Sequence, residues 1–355
     1  MKKSIRALLI LFMVLSVALV TACGGGSSSQ GSGSGGSGGS SGGSSSGGSS
    51  GGNNDQVFVL KASTAQDVNI TQNGAFQPFV QMVEERSNGR IKIEYVGGPE
   101  AIPTFNQGEA VSTGVIDLTF AASGYWSEMV PEILVMGPSD LTYEEEIERG
   151  SIEFMSKFTE EKMNAKLLGR SGYGQFAFFM KEPVYKLEDF KGKNIRGHAI
   201  YAPLMESVGA SVISMPGEEI YGALEKGMID GFGWANYGIT ELGVFDLIKA
   251  KIHPPFNQMD IMTLVNLDTW NKLPKDLQEI MQQAAIDSFY EQMKLVDEKI
   301  KYEEEEITKR GGQVITLENP DEYLRKAREL AWEWLGQRVE NVDQFKPYFI
   351  KDYKQ

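Results

Sequence analysis

Short apolar runs alternate with segments of helical periodicity along the chain from residue 57 onward. The apolar, β-branched and aromatic runs are typical of buried strands, and they fall at 57–62, 91–95, 116–121, 166–170, 175–180, 229–234 and 261–266. Between them, segments such as 142–157 and 201–208 have the spacing of amphipathic helices. This alternation predicts an α/β fold.

One arrangement of residues occurs twice. A proline is followed eleven residues later by a glycine and then by an Ile-Asp pair, at 103–117 and again at 216–230, an offset of 113. Each copy predicts a helix, a glycine that ends it, and an apolar strand. Two similar α/β units favour two lobes with a cleft between them.

A long helix is predicted toward the end of the chain. Apolar residues keep a spacing of three to four positions from Pro274 to about Arg310. Proline suits the first turn of a helix, and Gly311 follows where the helix should end. At about 1.5 Å per residue this helix is longer than one lobe, so we expect it to brace both.

The first 54 residues differ from the rest in composition. The chain begins with basic residues followed by the apolar stretch 8–20, a pattern typical of an export signal. Cys23, the only cysteine of the sequence, follows this stretch. The residues around Cys23 resemble a bacterial lipobox, which predicts a signal peptide at 1–22 and a lipid on this cysteine. An incidental cysteine after an ordinary signal peptide is the alternative. The Gly/Ser-rich remainder of 23–54 predicts a flexible tether to a folded part at 55–355.

Composition excludes several classes of function. The net charge is −14, which disfavours nucleic acid as a partner. The chain has only two histidines, His198 and His253, and it lacks the spacing of common metal sites and of the serine-hydrolase elbow. No apolar run after the first is long enough to cross a membrane.

Arg196 is the first candidate for binding chemistry. It should lie at the carboxyl end of a short strand and just before a helix, where open α/β sheets place their ligands. A guanidinium there can hold a carboxylate through two parallel hydrogen bonds. The alternative is a surface arginine paired with one of the many acidic side chains.

Three segments resemble the solute-binding proteins of TRAP (tripartite ATP-independent periplasmic) transporters: LEDFKGKNIRG, ISMPGEEIYGALEKGMIDGFGWAN and NLDTWNKLPKDLQEIMQQAA. They occur in order, and the resemblance covers most of 57–334. It implies a two-lobed, type II periplasmic-binding-protein-like α/β fold with a long bracing helix. The limits implied are approximately 55–175 plus C-terminal segments for the first lobe, 176–265 for the second and 274–310 for the helix.

The resemblance also implies a function. It implies TRAP transporter membrane subunits as partners, a location in the periplasm or at the outer face of the cell membrane, and an arginine that clamps an organic acid. That role falls on Arg196. Within the family the chain looks most similar to the branch that binds 2-oxo acids, because Gln175 and Trp234 match two of its site positions.

Two positions depart from that branch. Gly233 stands where the branch has a metal-binding glutamate, and Gln258 lies near the place of a second one. Two missing carboxylates remove most of the charge that a hard cation requires. We therefore expect neither a metal nor another cofactor.

The expected cleft is completed by Tyr125 and Trp126 from the first lobe and by Asn236, His198 and Gln258 from the second. Such a lining suits a monocarboxylate with an apolar or aromatic tail, for example a 2-oxo, 2-hydroxy or aromatic acid. Two alternatives remain open. One is an exported enzyme that uses His198 beside Arg196, and the other is a lipoprotein receptor of an ATP-driven importer.

The lipid anchor is directly testable. Because Cys23 ends the apolar signal and begins the tether, Cys23→Ala should abolish acyl labelling and release or misprocess the protein. Cell fractionation combined with a radioactive or clickable fatty acid measures both effects. Wild-type protein recovered in the soluble fraction without lipid would contradict the anchor.

Overall fold

The computed structural model describes residues 56–353. The predicted signal peptide at 1–22, the predicted lipidation of Cys23 and the predicted tether at 23–54 lie outside these residues. Within the part described, no helix is both long and apolar enough to cross a membrane.

The described chain alternates strands with helices, as its apolar pattern predicts. The strands are β1 (Phe58–Thr64), β2 (Ile91–Gly97), β3 (Leu118–Ala122), β4 (Ala165–Arg170), β5 (Gln175–Met180), β6 (Asn194–Gly197), β7 (Ser211–Ser214), β8 (Gly231–Ala235), β9 (Ala250–His253), β10 (Phe256–Gln258), β11 (Ile261–Asn266) and β12 (Gln313–Thr316). The α-helices are α1 (Phe76–Arg86), α2 (Gln107–Ser112), α3 (Tyr143–Glu148), α4 (Ser151–Met163), α5 (Ala202–Ser207), α6 (Ile220–Glu225), α7 (Ile239–Leu242), α8 (Leu267–Lys272), α9 (Lys275–Lys309), α10 (Pro320–Gly336) and α11 (Lys346–Phe349).

The strands form two sheets, which define the two lobes. The first sheet has the order β2-β1-β3-β11-β4, with β1 parallel to β2 and β3. The second has the order β12-β9-β5-β8-β6-β7, with β6 parallel to β7 and β8, and β10 pairs with β5. The carboxyl ends of β3, β6 and β8 therefore carry the loops from which a cleft can be built.

The repeated proline–glycine pattern corresponds to the same structure in both lobes. In the first lobe the pattern contains α2, and Gly114 follows where this helix ends. In the second lobe it contains α6, and Gly227 follows where that helix ends. Both glycines have left-handed backbones, with φ of 73° and 69°, a region that favours glycine.

The aspartate of each repeat makes the same hydrogen bond. Asp117 accepts from the backbone N–H of Lys61 at 2.8 Å, and Asp230 accepts from the backbone N–H of Asn194 at 2.8 Å. Each bond ties the segment before a central strand to the neighbouring parallel strand. The two lobes thus share one local design.

Helix α9 confirms the long helix expected from the sequence, and it contacts both lobes. The side chain of Gln292 donates to the carbonyl oxygens of Thr71 and Gln72 in the first lobe at 2.8 and 2.9 Å. Further along, Glu303 accepts from the backbone N–H of Thr240 in the second lobe at 3.0 Å. One continuous helix therefore links the two lobes.

Some details differ from the sequence-based predictions. The helix expected at 142–157 is two helices, α3 and α4, because Gly150 between them has a left-handed backbone with φ of 67°. Strand β11 falls in the range expected for the second lobe but pairs with β3 and β4 of the first sheet. The chain therefore crosses between the sheets just before β11, at 259–260.

Candidate functional site

Arg196 lies in β6 and is almost completely buried, with 1% of its surface exposed. Its guanidinium donates twice to the carbonyl oxygen of Met215, at 2.8 and 3.1 Å, and once to that of Gly233 at 3.1 Å. A fourth bond, from Nη2, reaches the hydroxyl oxygen of Tyr125 in the first lobe at 3.2 Å. The group is thus fixed in orientation, with one N–H of Nη1 left without a partner.

The charge of Arg196 has no counter-ion among residues 56–353. The other fully buried guanidinium, that of Arg170, makes two hydrogen bonds to the carboxylate of Glu146, at 2.7 and 2.8 Å. Arg196 instead contacts only neutral acceptors. A buried charge without a partner is costly, so this site is suited to receive an anion.

Aromatic side chains surround the guanidinium. The Trp234 ring lies 5.1 Å from the guanidinium carbon of Arg196, a cation–π contact. The imidazole of His198 lies between Tyr125 and Tyr201, with ring centroids 5.7 and 4.9 Å away. The predicted residues Arg196, Tyr125, Trp234 and His198 are therefore brought together.

Gly233 has a steric reason to be glycine. A Cβ built at this position would lie 2.2 Å from a ring carbon of Tyr201, far inside van der Waals contact. The phenol of Tyr201 thus fills the space beside the strand into which a glutamate at 233 would extend. Gly124 is similar, since a Cβ there would lie 2.2 Å from Nδ1 of His198.

Several buried polar atoms at this place have no hydrogen-bond partner in the described part of the chain. They include the Tyr201 hydroxyl and Nδ1 of His198. Burial raises the pKa of the Tyr201 hydroxyl well above its usual range, so the phenol stays protonated and can donate. Burial, with a smaller effect from Arg196, lowers the pKa of His198 to about 4 against the opposing charge of Asp260. Because buried polar groups are nearly always hydrogen-bonded, these atoms are suited to contact a polar ligand.

A neighbouring group of polar residues lies at the start of β5 and consists of Gln175, Asn236 and Gln258. The backbone N–H of Asn236 donates to the carbonyl oxygen of Gln175 at 2.8 Å, and Gln258 pairs with Gln175 in β10. None of the three is hydrogen-bonded to Arg196. Trp126 is buried against Gly108 of α2. The roles of these four residues in binding stay predictions.

Sequence reasoning missed two residues at the site. Tyr201 was interpreted only as the start of a helix, although a phenol three residues after His198 on a helical turn can return toward the strand. Asp260 was not singled out, although a carboxylate directly before the fully buried strand β11 is unusual. It is 1% exposed and accepts from the Ser123 hydroxyl at 2.7 Å.

The buried histidine should make stability depend on pH. The unfolded chain titrates His198 near pH 6.5, but the folded chain titrates it near pH 4, so the unfolded state binds more protons between these values. The free energy of unfolding should therefore fall by about 3 kcal/mol from this group as the pH drops through that window. Urea unfolding of ligand-free protein at a series of pH values measures it.

His198→Gln should remove this contribution, and His253→Gln should leave it unchanged because His253 is exposed. If the His198→Gln and wild-type proteins lose stability in parallel between pH 6.5 and 4, the histidine is not buried in its neutral form.

Comparison with known proteins identifies the family. The family model described as bacterial extracellular solute-binding protein, family 7 (DctP) matches residues 62–333. A monocarboxylate 2-oxoacid-binding periplasmic protein of Nostoc sp. is 27% identical over 217 residues, which cover 58% of this chain and 59% of the relative. This alignment spans less than two thirds of the relative's length.

Solved structures share the fold. A TRAP transporter solute-binding protein of Bordetella bronchiseptica, with copurified calcium and picolinate, has a TM-score of 0.74 at 20% identity and covers 83% of this chain and 91% of its own. A TRAP periplasmic solute-binding protein of Desulfovibrio salexigens with bound orotic acid has a TM-score of 0.72 at 18% identity, over 82% and 98%. This likeness confirms the predicted two-lobed α/β fold. With the match over residues 62–333, the chain belongs to family 7 of the bacterial extracellular solute-binding proteins, the DctP family.

Proposed function

We propose that this protein is the membrane-tethered receptor of a TRAP transporter and that it binds a small organic acid between its lobes. The observation that carries the proposal is the buried guanidinium of Arg196, which has no counter-ion among the described residues. A ligand carboxylate would supply the missing negative charge. The Nostoc relative and the Bordetella and Desulfovibrio proteins are all named for or solved with carboxylic acids, which supports this class of ligand.

The geometry favours a particular exchange of hydrogen bonds. Arg196 has one free N–H on Nη1 and donates one N–H of Nη2 to Tyr125. A carboxylate that accepts from both nitrogens would take the place of the Tyr125 oxygen, and the phenol could then donate to the ligand. The Tyr201 hydroxyl offers a further donor. Because Tyr125 and Arg196 belong to different lobes, a ligand held by both would hold the lobes together.

The anchor and the partners belong to the same proposal. A lipid on Cys23 and a tether over 23–54 would keep the receptor at the membrane, near the TRAP transporter membrane subunits. An exported enzyme is the weaker candidate, since burial lowers the pKa of His198 to about 4 and so makes it a weak general base near neutral pH. Among residues 56–353, the one side chain that hydrogen-bonds to Arg196 is the phenol of Tyr125.

Binding should depend on Arg196. Arg196→Ala should weaken binding of the organic acid by a factor of tens to thousands, since removing one partner of a buried charge pair costs roughly 2–5 kcal/mol. Arg196→Lys should recover part of the affinity, because an ammonium supplies charge without the planar fork. A thermal-shift screen of organic acids followed by isothermal titration measures these values. If folded Arg196→Ala binds as tightly as wild type, the carboxylate clamp lies elsewhere.

The two buried arginines provide a control that needs no ligand. Arg170→Met leaves the carboxylate of Glu146 buried without a partner and should destabilise the protein by about 3–5 kcal/mol. Arg196→Met removes a charge that has no counter-ion and should cost much less. Similar losses for both variants in urea unfolding would show that Arg196 has a structural counter-ion.

We further propose that no metal ion bridges the ligand. Tyr201 fills the space beside Gly233, and residues 56–353 contain no group of three or more His, Cys, Asp or Glu side chains placed to hold an ion. Affinity measured by titration should therefore be the same in excess EDTA as in added calcium or sodium. Loss of binding in a sodium-free buffer that contains potassium EDTA, and its return with added calcium or sodium, would contradict this.

A further inference from the structure

Asp260 is a buried carboxylate without a cation. Four carboxylate side chains are buried among residues 56–353: those of Glu132, Glu146, Asp260 and Glu303. Three of them lie within salt-bridge distance of a cationic side chain, supplied respectively by Lys162, Arg170 and Lys299. Asp260 has no such partner in the described part of the chain.

One oxygen of Asp260 is also free of hydrogen bonds. Oδ2 accepts from the Ser123 hydroxyl at 2.7 Å and from the backbone N–H of Gly124 at 3.1 Å. Oδ1 is buried and has no protein partner. A buried carboxylate oxygen without a donor is costly, so Oδ1 is suited to accept from a ligand.

The unpaired anion and the unpaired cation lie on either side of one short segment, 123–125. Ser123 and Gly124 donate to Asp260, and the next residue, Tyr125, accepts from Arg196. The imidazole of His198 contacts the same segment, because its Nδ1 would lie 2.2 Å from a Cβ on Gly124. Both charges therefore border the place where the lobes meet.

Neighbouring groups do not neutralise Asp260. Burial lowers the pKa of His198 to about 4, so its imidazole is neutral near pH 7. Arg170 donates to the carbonyl oxygen of Met259, next to Asp260, but its charge is paired with Glu146. Apart from Arg196, the remaining buried cation among residues 56–353 is Lys251, which is paired with Glu304.

We propose that Asp260 is a second ligand-binding residue and that the ligand is a zwitterionic carboxylic acid whose N–H cation donates to Oδ1. The inference rests on the proposed function, since Arg196 must hold the carboxylate. A simple monoanion would leave Asp260 without a cationic partner. A zwitterion completes two charge pairs, Arg196 with the carboxylate and Asp260 with the cation, and buried charges are tolerated when they are paired.

The test compares acids that differ in one group. The acids carry a methyl, an isobutyl or a benzyl side chain, and each side chain is tested in the 2-amino, the 2-hydroxy and the 2-oxo acid. Their affinities are measured by isothermal titration in the presence of EDTA. For the side chain that fits, wild type should bind the 2-amino acid at least about tenfold more tightly than the other two. A 2-oxo acid has no donor for Oδ1, and a hydroxyl donates without charge.

Asp260→Asn should change this order. The amide oxygen can still accept from Ser123 and Gly124, while the neutral amide nitrogen replaces the free oxygen. The variant should lose about ten- to a hundredfold in affinity for the 2-amino acid, the range of a charge-assisted hydrogen bond, and should keep or gain affinity for the 2-oxo acid. Glu132→Gln is the matched control, because it makes the same change at a buried carboxylate that has Lys162 as its partner, and it should keep the wild-type order.

The other outcomes separate the two proposals. Tight, Arg196-dependent binding of the 2-oxo acid with no effect of Asp260→Asn would overturn the inference and leave the proposed function standing. Equal affinities for the 2-amino and 2-hydroxy acids would overturn the proposal that the ligand is zwitterionic. Binding of the 2-oxo acid that needs calcium or sodium and is lost in Asp260→Asn would make Asp260 an ion ligand instead. Failure of this panel to bind, while another acid from the thermal-shift screen binds through Arg196, would overturn the inference and leave the proposed function standing. Failure of the whole screen would overturn both, and the wild-type order decides the matter even if Asp260→Asn does not fold.

Discussion

A buried guanidinium with no counter-ion among residues 56–353 is the constraint around which this site is built. Only 1% of Arg196 is exposed, and its charge is stabilised by the dipoles of two carbonyl groups, the oxygen of a phenol and the face of an indole. Such neutral partners offset only part of the cost of burial. The glycine at 233 and the phenol of Tyr201 that covers it belong to the same arrangement, because they shape the wall next to the charge.

The repeated α/β unit explains how the two sides of the site meet. In each lobe an aspartate ties a central strand to its parallel neighbour, and a glycine ends the preceding helix. The loops that follow β3 and β8 therefore leave the carboxyl ends of equivalent strands, and the loop after β6 leaves the parallel neighbour of β8 at the same edge. This edge is the usual position of ligands in open α/β sheets. Helix α9 hydrogen-bonds to both lobes and so links them along a single element.

The sequence was informative wherever one local pattern decides the structure. Seven apolar runs correspond to strands, and the continuous spacing of α9 located it to within a residue or two. Short edge strands such as β7 and β12 were missed, because they are largely exposed and have no apolar run. The pairing of β11 with the first sheet was also missed, since long-range pairing is not encoded in the local pattern.

The site residues likewise divide into those that the local sequence indicates and those that depend on long-range contacts. Arg196 could be placed at a strand end from its surroundings in the sequence, and the family resemblance suggested its role. Tyr201 and Asp260 could not, because their importance comes from what they lack: a partner for the phenol and a cation for the carboxylate. Such absences appear only when the neighbours are known in three dimensions.

A crystal structure with the best-binding acid tests the central claim most directly. The account predicts a ligand carboxylate within hydrogen-bond distance of Nη1 and Nη2 of Arg196, with the Tyr125 hydroxyl displaced from Nη2. A ligand bound in the cleft with its carboxylate on another residue, while Arg196 keeps its bond to Tyr125, would contradict it.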